Sequence, residues 1–320
     1  MPKLKYEHLM GNIESFKAAQ SSMGIELEGF LKGEIFNGCY SIEEQDQIVN
    51  DLGYLLNQYF PSSTYEEDKN NNQNMLSASD TSIFNEQKKR PVFLSTAGAP
   101  GTGKSHYIEH LDHGLEQFVY VDPDRVCLPA IQAYHTLNQT DSERAYQKFR
   151  DASNFIANFM LIRAVSERKH IVYGTTASSD RVKTIYQHLR DAQYVIDIRV
   201  LFADQKLRLG AINHRNQNHV QASEADVFGK EAPILERLFD AYIPYADQVI
   251  LMLNHGDYWK GQGTLENIIK VQTRLGLFDT DSAYEKFLKV CNISEEVEEQ
   301  FTRLRLDVAN NASTSIDNQL

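Results

Sequence analysis

The stretch Gly98–Ser105, GAPGTGKS, is the strongest chemical signal in the chain, because it matches the pattern G-x-x-x-x-G-K-[ST] in full. Glycines at these positions let backbone N–H groups turn inward around a phosphate, where a Cβ atom would obstruct. Lys104 has the reach to contact the β- and γ-oxygens of a nucleoside triphosphate, and the Ser105 hydroxyl suits a Mg²⁺ ion. The predicted nucleotide-binding residues are Gly98, Ala99, Pro100, Gly101, Thr102, Gly103, Lys104, Ser105 and His106.

Two aspartates follow the apolar run FVYV, with Arg125 directly after them. A carboxylate at the tip of a strand, facing a phosphate site, suits a base that takes a proton from an acceptor hydroxyl. The sequence DPD is also a good cap-and-turn sequence, so helix capping is the alternative for both residues. At this point either interpretation applies to Asp122 and to Asp124.

The strand candidate HIVYGTT, residues 170–176, distinguishes between classes of P-loop protein. Motor-type members place an acidic residue at the end of such a strand to hold Mg²⁺ and water. Here the strand ends in glycine and threonine instead. This ending favours a kinase over a motor.

The elements around the motifs alternate between apolar runs and helical patterns. A parallel sheet covered by helices on both sides is the architecture that this alternation predicts, with ligands at the carboxyl ends of the strands. We therefore expect an α/β fold with a parallel sheet of about five strands. The strand candidates are VFLSTAG from Val92, FVYVD from Phe118, HIVYGTT from His170, YVIDIRVLFA from Tyr194 and DQVILML from Asp247.

The flanks of this region have a different pattern. Residues 1–60 are predicted to be a helical N-terminal region, in which Ser41 followed by acidic residues begins a helix. Residues 61–90 are polar and Asn-rich and are interpreted as a linker. The kinase-like domain is expected over 91–265, and 266–320 is expected to be helical with a disordered tail.

Composition favours a soluble globular protein. The 320 residues are 42% apolar and 24% charged, with a net charge of −12 that does not favour a nucleic-acid surface. No apolar run has the length of a membrane span, and the first residues have no signal-peptide core. Three scattered cysteines predict neither a disulfide framework nor a zinc site, so we expect a reducing, cytoplasmic compartment. We expect no nucleic-acid or membrane partner.

In order and spacing, three segments resemble the zeta-toxin-like family of P-loop kinases. They are VFLSTAGAPGTGKS, FVYVDPDRVCLPAIQAYHT, and the long run from HIVYGTTASSDRV to GAINHRNQ. The resemblance covers about residues 91–253 and implies a three-layer P-loop kinase sandwich with helical N- and C-terminal additions. Family members use ATP and Mg²⁺ to phosphorylate a small hydroxylated acceptor, and several act on the 3′-hydroxyl of UDP-N-acetylglucosamine.

The resemblance also implies roles for single residues. Lys104 becomes the phosphate-binding lysine, Ser105 a Mg²⁺ ligand and Asp124 the general base. Arg125 and Thr175 lie at positions that face the acceptor, and we expect Asp122 to contact the acceptor or Mg²⁺. Arg215 best matches the lid arginine that stabilises charge on the transferring phosphoryl group. A shift of one helical turn places His214 or Arg208 there instead.

Three departures from the family pattern concern the acceptor. Tyr173 replaces a glutamate before the glycine–threonine pair, and the helix around Ala157 has no glutamate where the toxins have one. Only His219 is present where a second lid arginine is expected. These departures predict an acceptor other than UDP-N-acetylglucosamine, or weakened catalysis.

We therefore expect an ATP-dependent phosphotransferase with an alcohol group as acceptor. The alternative is a nucleotide-binding regulatory or effector protein with little transfer, whose N-terminal helices bind a protein partner, either antitoxin-like or from a host. A P-loop kinase acting on a nucleic-acid end or a protein hydroxyl is a third interpretation. The acidic run Ser294–Gln300 fits a solvated helix start or a C-terminal export signal of an effector.

Overall fold

A computed structural model was obtained for the chain. It describes residues 6–27, 40–61, 90–111, 117–216, 228–272, 276–279, 288–289 and 295–303. The predicted linker (62–89), the segment with His219 and the C-terminal tail lie outside these residues. Among the helices of these described residues, none has the combined length and apolar character of a membrane span.

The strands form a mixed sheet that is mostly parallel where the motifs lie. In chain order they are β1 (Val92–Ala97), β2 (Phe118–Val121), β3 (His170–Gly174), β4 (Val195–Ala203), β5 (Gln248–His255), β6 (Thr264–Gln272) and β7 (Gly276–Asp279). Their order in the sheet is β2-β3-β1-β4-β5-β6-β7. All five predicted strands are present as β1–β5, and the predicted α/β class is confirmed.

The strand registers show where the parallel part ends. β2 pairs in parallel with β3, Phe118 opposite His170, and β4 pairs in parallel with β5 from Asp197 opposite Gln248. β5 then pairs with β6, and β6 with β7, in antiparallel fashion. We expected helix beyond residue 265, and this expectation is wrong for β6 and β7. A helix does cover 295–303, which includes most of the acidic run.

Helices connect the strands. The long helix Ser142–Ser166 is almost wholly buried along one side, and Ser41 caps helix Ile42–Tyr59 through a capping box with Glu44. Besides the helix over 295–303, the α-helices of the described residues include Ile13–Ser22, Ile42–Tyr59, Lys104–Glu109, Leu128–Ala130, Gln132–Asn138, Ser142–Ser166, Arg181–Asp191, Gln205–Asn216, Glu231–Arg237 and Ile243–Tyr245. Shorter turns lie between them: the π-helical turns Pro123–Cys127 and Leu238–Tyr242, and the 3₁₀ turns Tyr6–Leu9 and Tyr258–Lys260.

The chain divides into two compact units. The first holds the described residues up to Phe93 and those from Glu109 to Tyr173. In it, the N-terminal helices pack against the long helix, with the rings of Phe16 and Phe159 4.8 Å apart. Lys148 on the long helix also contacts Glu44, at 2.5 Å between Nζ and Oε1. The N-terminal region is therefore packed onto the long helix rather than separate from it.

The second unit holds Leu94–Ile108 and the described residues from Gly174 onward. Its core surrounds the fully buried strand β4. Two buried tyrosines, Tyr186 and Tyr242, meet edge to face with centroids 6.0 Å apart. The Tyr186 hydroxyl is hydrogen-bonded to Ser95 Oγ on β1 at 3.0 Å. This unit contains the whole of the loop between β1 and helix Lys104–Glu109.

Candidate functional site

The predicted cradle is a sharp loop in the second unit, between β1 and helix Lys104–Glu109. Gly101 and Gly103 have φ values of +82° and +88°, which L-residues with a side chain rarely adopt. A Cβ atom on Gly101 would lie 2.6 Å from the Arg208 carbonyl oxygen, and one on Gly103 would overlap with Asn254 Nδ2. Only glycine fits at both positions, so the loop keeps its backbone open to a phosphate.

Lys104 contacts its own loop. Its Nζ donates to the carbonyl oxygens of Gly98 at 2.8 Å and Ala99 at 3.0 Å. These bonds hold the ammonium group over the start of the cradle, where a phosphate oxygen would compete for the same donor. Ser105 and His106 follow on the helix, both half-buried. The loop and lysine therefore fit the phosphates of a nucleotide.

Asn254 forms the support behind the cradle, and the sequence patterns did not identify it. It lies near the end of β5 among buried residues, and its Nδ2 donates to the Thr102 carbonyl oxygen at 3.2 Å. The Thr102 hydroxyl in turn donates to the Ala99 carbonyl oxygen at 3.0 Å. These bonds fix the backbone of the loop. No sequence motif marks an asparagine so far downstream as a cradle contact.

The two arginine candidates for the lid role share one helix, Gln205–Asn216. Arg215 lies seven positions after Arg208, so both lie on the same face of the helix, two turns apart. Arg208 is 2% exposed and its Nη2 pairs with Glu231 Oε2 at 2.8 Å, whereas Arg215 is half-buried. His214 is exposed. The choice of Arg215 as lid arginine stays a prediction.

Trp259 is a packing residue of this region. Its ring lies against Gly210, where a Cβ atom would be 3.0 Å from Trp259 Cζ2. The neighbouring Tyr258 ring meets it edge to face at 4.9 Å. The 3₁₀ turn after β5 is thereby fixed to the helix that carries both arginines.

Thr175 lies in a loop rich in hydroxyl groups that follows β3 in the second unit. Its Oγ1 accepts a hydrogen bond from the Ala177 N–H at 3.2 Å. Ala177 has a φ of +53°, which is strained for alanine, and its carbonyl oxygen accepts a 2.7 Å bond from the buried Tyr242 hydroxyl. The Gly98 N–H bonds to the Thr176 carbonyl oxygen at 3.3 Å. The predicted acceptor residue and the cradle are thus joined through backbone contacts.

Asp122 caps the π-helical turn Pro123–Cys127 in the first unit. Its Oδ1 accepts from the N–H groups of Asp124 and Arg125, both at 2.9 Å. Its Oδ2 accepts from the Tyr120 hydroxyl at 3.1 Å. These contacts are those of a helix cap, the alternative that the sequence left open for Asp122. Its contact with an acceptor or Mg²⁺ stays a prediction.

The electrostatics of Asp122 follow from its burial. Removal from water raises the pKa of this carboxyl from 3.8 to about 6, and the nearby Asp124 carboxylate adds to the effect. The hydrogen bonds from the backbone and Tyr120 act in the opposite direction. Burial and Asp122 together raise the pKa of Tyr120, so the Tyr120 hydroxyl stays a donor.

Asp124 and Arg125 are more accessible than Asp122. Asp124 is half-buried, and the turn that carries it is fixed by the Ser153 hydroxyl, which donates to the Pro123 carbonyl oxygen at 2.5 Å. Arg125 is exposed and pairs with Glu109 at 3.6 Å. An accessible carboxylate on a fixed turn suits the predicted base, and this role stays a prediction.

Residues at two of the departures from the family pattern are buried packing residues. Tyr173 is buried and its ring lies 5.7 Å from that of Phe93. Ala157 is buried on the long helix. Both positions at which the resemblance implies an acid are therefore buried in this protein. Among the described residues, no group of three His, Cys, Asp or Glu side chains is placed to hold a metal ion.

Comparisons with known proteins agree with this arrangement. The zeta toxin family model matches residues 76–240, just over half of the chain. The chain is similar to the structure of the PezAT chromosomal toxin–antitoxin system of the human pathogen Streptococcus pneumoniae. Identity is 14%, the TM-score is 0.50, and the match covers 85% of this chain and 98% of that one.

Weaker similarity links the chain to the AvrRxo1-ORF1:-ORF2 complex. The native complex is 14% identical with a TM-score of 0.49 over 65% of each chain. The same complex with ATP is 13% identical with a TM-score of 0.46, over 66% of this chain and 67% of that one. No curated protein matches the chain. Since the family model spans more than half of the sequence and includes the cradle and both aspartates, the chain belongs to the zeta toxin family of P-loop kinases.

Proposed function

We propose that the protein is an ATP-dependent kinase that transfers the γ-phosphoryl group to a hydroxyl of a small acceptor. The observation that carries the proposal is the cradle, in which two glycines have φ values that residues with a side chain rarely adopt and Lys104 donates to the loop's own carbonyl oxygens. This geometry is suited to a triphosphate chain. Family membership supports phosphoryl transfer as its use.

In the proposed mechanism, Lys104 exchanges the carbonyl oxygens of Gly98 and Ala99 for phosphate oxygens when ATP binds. Backbone N–H groups of the cradle hold the β-phosphate. The Ser105 hydroxyl would ligate Mg²⁺, which supplies charge neutralisation at the β- and γ-phosphates when bound. Positioning and electrostatic stabilisation are the main contributions that a protein makes to this reaction.

The transfer itself forms one bond and breaks one. The acceptor oxygen bonds to the γ-phosphorus while the bond from that phosphorus to the β,γ-bridging oxygen breaks, and ADP leaves. Asp124 accepts the proton of the acceptor hydroxyl. Arg215 stabilises the charge on the equatorial oxygens of the transferring group. Asp124 follows the carboxyl end of β2 as the cradle follows that of β1.

The acceptor is proposed to bind at the hydroxyl-rich loop after β3. Thr175 and the strained Ala177 are fixed there by bonds to neighbouring groups, which favours a preformed site. Because Tyr173 and Ala157 are buried where toxins carry acids, we propose that the acceptor is not UDP-N-acetylglucosamine. Small metabolites with a hydroxyl group remain the acceptor class.

A second candidate function has one observation in its favour. The same buried Tyr173 and Ala157 remove two carboxylates, which suits a nucleotide-binding protein with little phosphoryl transfer. Such a protein would act through a partner bound at the N-terminal helices, antitoxin-like or from a host. Ile42 and Tyr54, which are 58% and 67% exposed on helix Ile42–Tyr59, are apolar positions on that surface. A cytoplasmic location is proposed for either function.

The test compares ATP turnover with and without a metabolite extract. We expect purified protein to convert ATP to ADP only when fractionated small molecules are added, with one metabolite gaining the mass of a phosphoryl group. The Lys104→Ala variant is the matched control and should show neither change. ATP binding without any turnover across all fractions would instead support the second candidate.

A further inference from the structure

Tyr258 lies against the cradle although it belongs to no recognised motif. It begins the 3₁₀ turn after β5 and is only 4% exposed. Its ring atoms Cδ2 and Cε2 lie 3.3 Å from the point where a Gly103 side chain would begin. Cε2 is bonded to the carbon that carries the hydroxyl. This side of the Tyr258 ring therefore lies beside Gly103, the residue before Lys104.

The Tyr258 hydroxyl is a buried polar group with no hydrogen-bond partner among the described residues. Buried tyrosine hydroxyls normally have one. Two tyrosines in the same unit follow that rule, since Tyr186 bonds to Ser95 and Tyr242 donates to the Ala177 carbonyl oxygen. A buried hydroxyl without such a bond costs stability in the protein alone, and a ligand that supplies an acceptor offsets this cost.

The charges around Tyr258 indicate what kind of ligand group would meet its hydroxyl. Burial raises the pKa of Tyr258, while the positive charges of Arg208 and Arg215 act in the opposite direction. Burial dominates, so the hydroxyl stays protonated and is a hydrogen-bond donor at neutral pH. A donor that lies at the phosphate loop and feels the positive charges of two arginines suits an anionic oxygen better than a neutral acceptor.

We propose that Tyr258 is a nucleotide-binding residue whose hydroxyl donates a hydrogen bond to a phosphate oxygen of the nucleotide in the cradle. The proposal deepens the function proposed above and rests on it. Tyr258 and Lys104 would then both bind the same phosphate chain. Lys104 follows Gly103 in the sequence, whereas Tyr258 contacts Gly103 from the turn after β5. Its contribution is to affinity for the phosphates rather than for the base.

The test variant is Tyr258→Phe, which keeps the ring against Gly103 and Trp259 and removes only the hydroxyl. We expect the free energy of unfolding without nucleotide to be unchanged or higher, because no hydrogen bond is lost. We expect the Kd for ATP·Mg²⁺ to rise about 10- to 100-fold, since a bond to a charged group is lost. Inorganic pyrophosphate should lose affinity in the same proportion.

The matched control is Tyr186→Phe, which removes a buried hydroxyl that is hydrogen-bonded. This variant should be less stable than the parent and should bind ATP as the parent does. The proposal is overturned if Tyr258→Phe binds ATP and pyrophosphate as tightly as the parent, or if it loses as much stability as the control. A parent protein that binds no ATP overturns the proposed function itself, a result distinct from unchanged affinity in the variant.

Discussion

The Asp122 carboxyl allows a prediction about how stability depends on pH. In the folded protein its pKa is about 6, whereas its ordinary value is 3.8. Well below pH 3.8 the group is protonated in both the folded and the unfolded state. As the pH rises through this window, the unfolded chain releases the proton first, so the free energy of unfolding falls until about pH 6. At about 1.36 kcal/mol per pH unit the loss is about 3 kcal/mol.

The substitution Asp122→Asn removes the group whose ionisation lowers the free energy of unfolding, and it keeps the capping hydrogen bonds. The amide oxygen can accept from the Asp124 and Arg125 N–H groups, and the amide nitrogen can donate to the Tyr120 oxygen. Asparagine caps helices about as well as aspartate. We therefore expect the variant to match the parent near pH 4 and to exceed its free energy of unfolding at pH 7 by up to about 3 kcal/mol.

Urea denaturation followed by circular dichroism between about pH 4 and 8 measures this difference. Asp141→Asn, the same substitution at an exposed helix cap, measures the effect of the exchange alone. A difference between variant and parent that stays constant across this pH range would refute the reasoning. So would an Asp122→Asn variant less stable than the parent at neutral pH, which would show that the ionised carboxylate is the better cap.

Three further predictions concern the proposed kinase. Lys104→Ala should abolish measurable ATP affinity in a calorimetric titration while the far-ultraviolet circular dichroism spectrum stays that of the parent, and parental affinity would contradict the cradle assignment. Asp124→Asn should keep near-parental thermal stability and ATP binding but reduce transfer to the true acceptor about 100-fold or more, and full activity would make Asp122 the next base to test. UDP-N-acetylglucosamine should gain no phosphoryl group in a mass-spectrometric assay with ATP, and efficient phosphorylation would show that the acids replaced at Tyr173 and Ala157 are dispensable.

Local patterns were sufficient for the parallel strands and the cradle. Strands β1 and β4 are buried along their whole length, and the glycine–lysine loop depends on residues adjacent in sequence. The Ser41 capping box likewise has both partners within one helical turn. Such signals are short-range, so one sequence contains them.

Features that depend on distant pairing could not be predicted. The residues at the start of β6 are mostly exposed, Leu265 among them, so no apolar alternation marks the strand. Its extended form comes from antiparallel pairing with β5. Asn254 and Tyr258 contact the cradle only because β5 and the turn after it bring them against Gly103, far earlier in the chain. Nothing in their immediate neighbours indicates that contact.

The two hydrogen bonds that Lys104 makes to its own loop have a consequence for selectivity among anions. A ligand that binds the ammonium group must first replace its hydrogen bonds to the Gly98 and Ala99 carbonyl oxygens, at 2.8 and 3.0 Å. The net gain in binding free energy is therefore only the difference between the new contacts and these two bonds. A compound with one phosphate offers few replacement contacts, whereas a triphosphate chain also reaches the backbone donors along the loop. Abundant inorganic phosphate in a cell would therefore compete poorly with ATP. The site would favour ATP over inorganic phosphate without excluding the smaller anion by its shape.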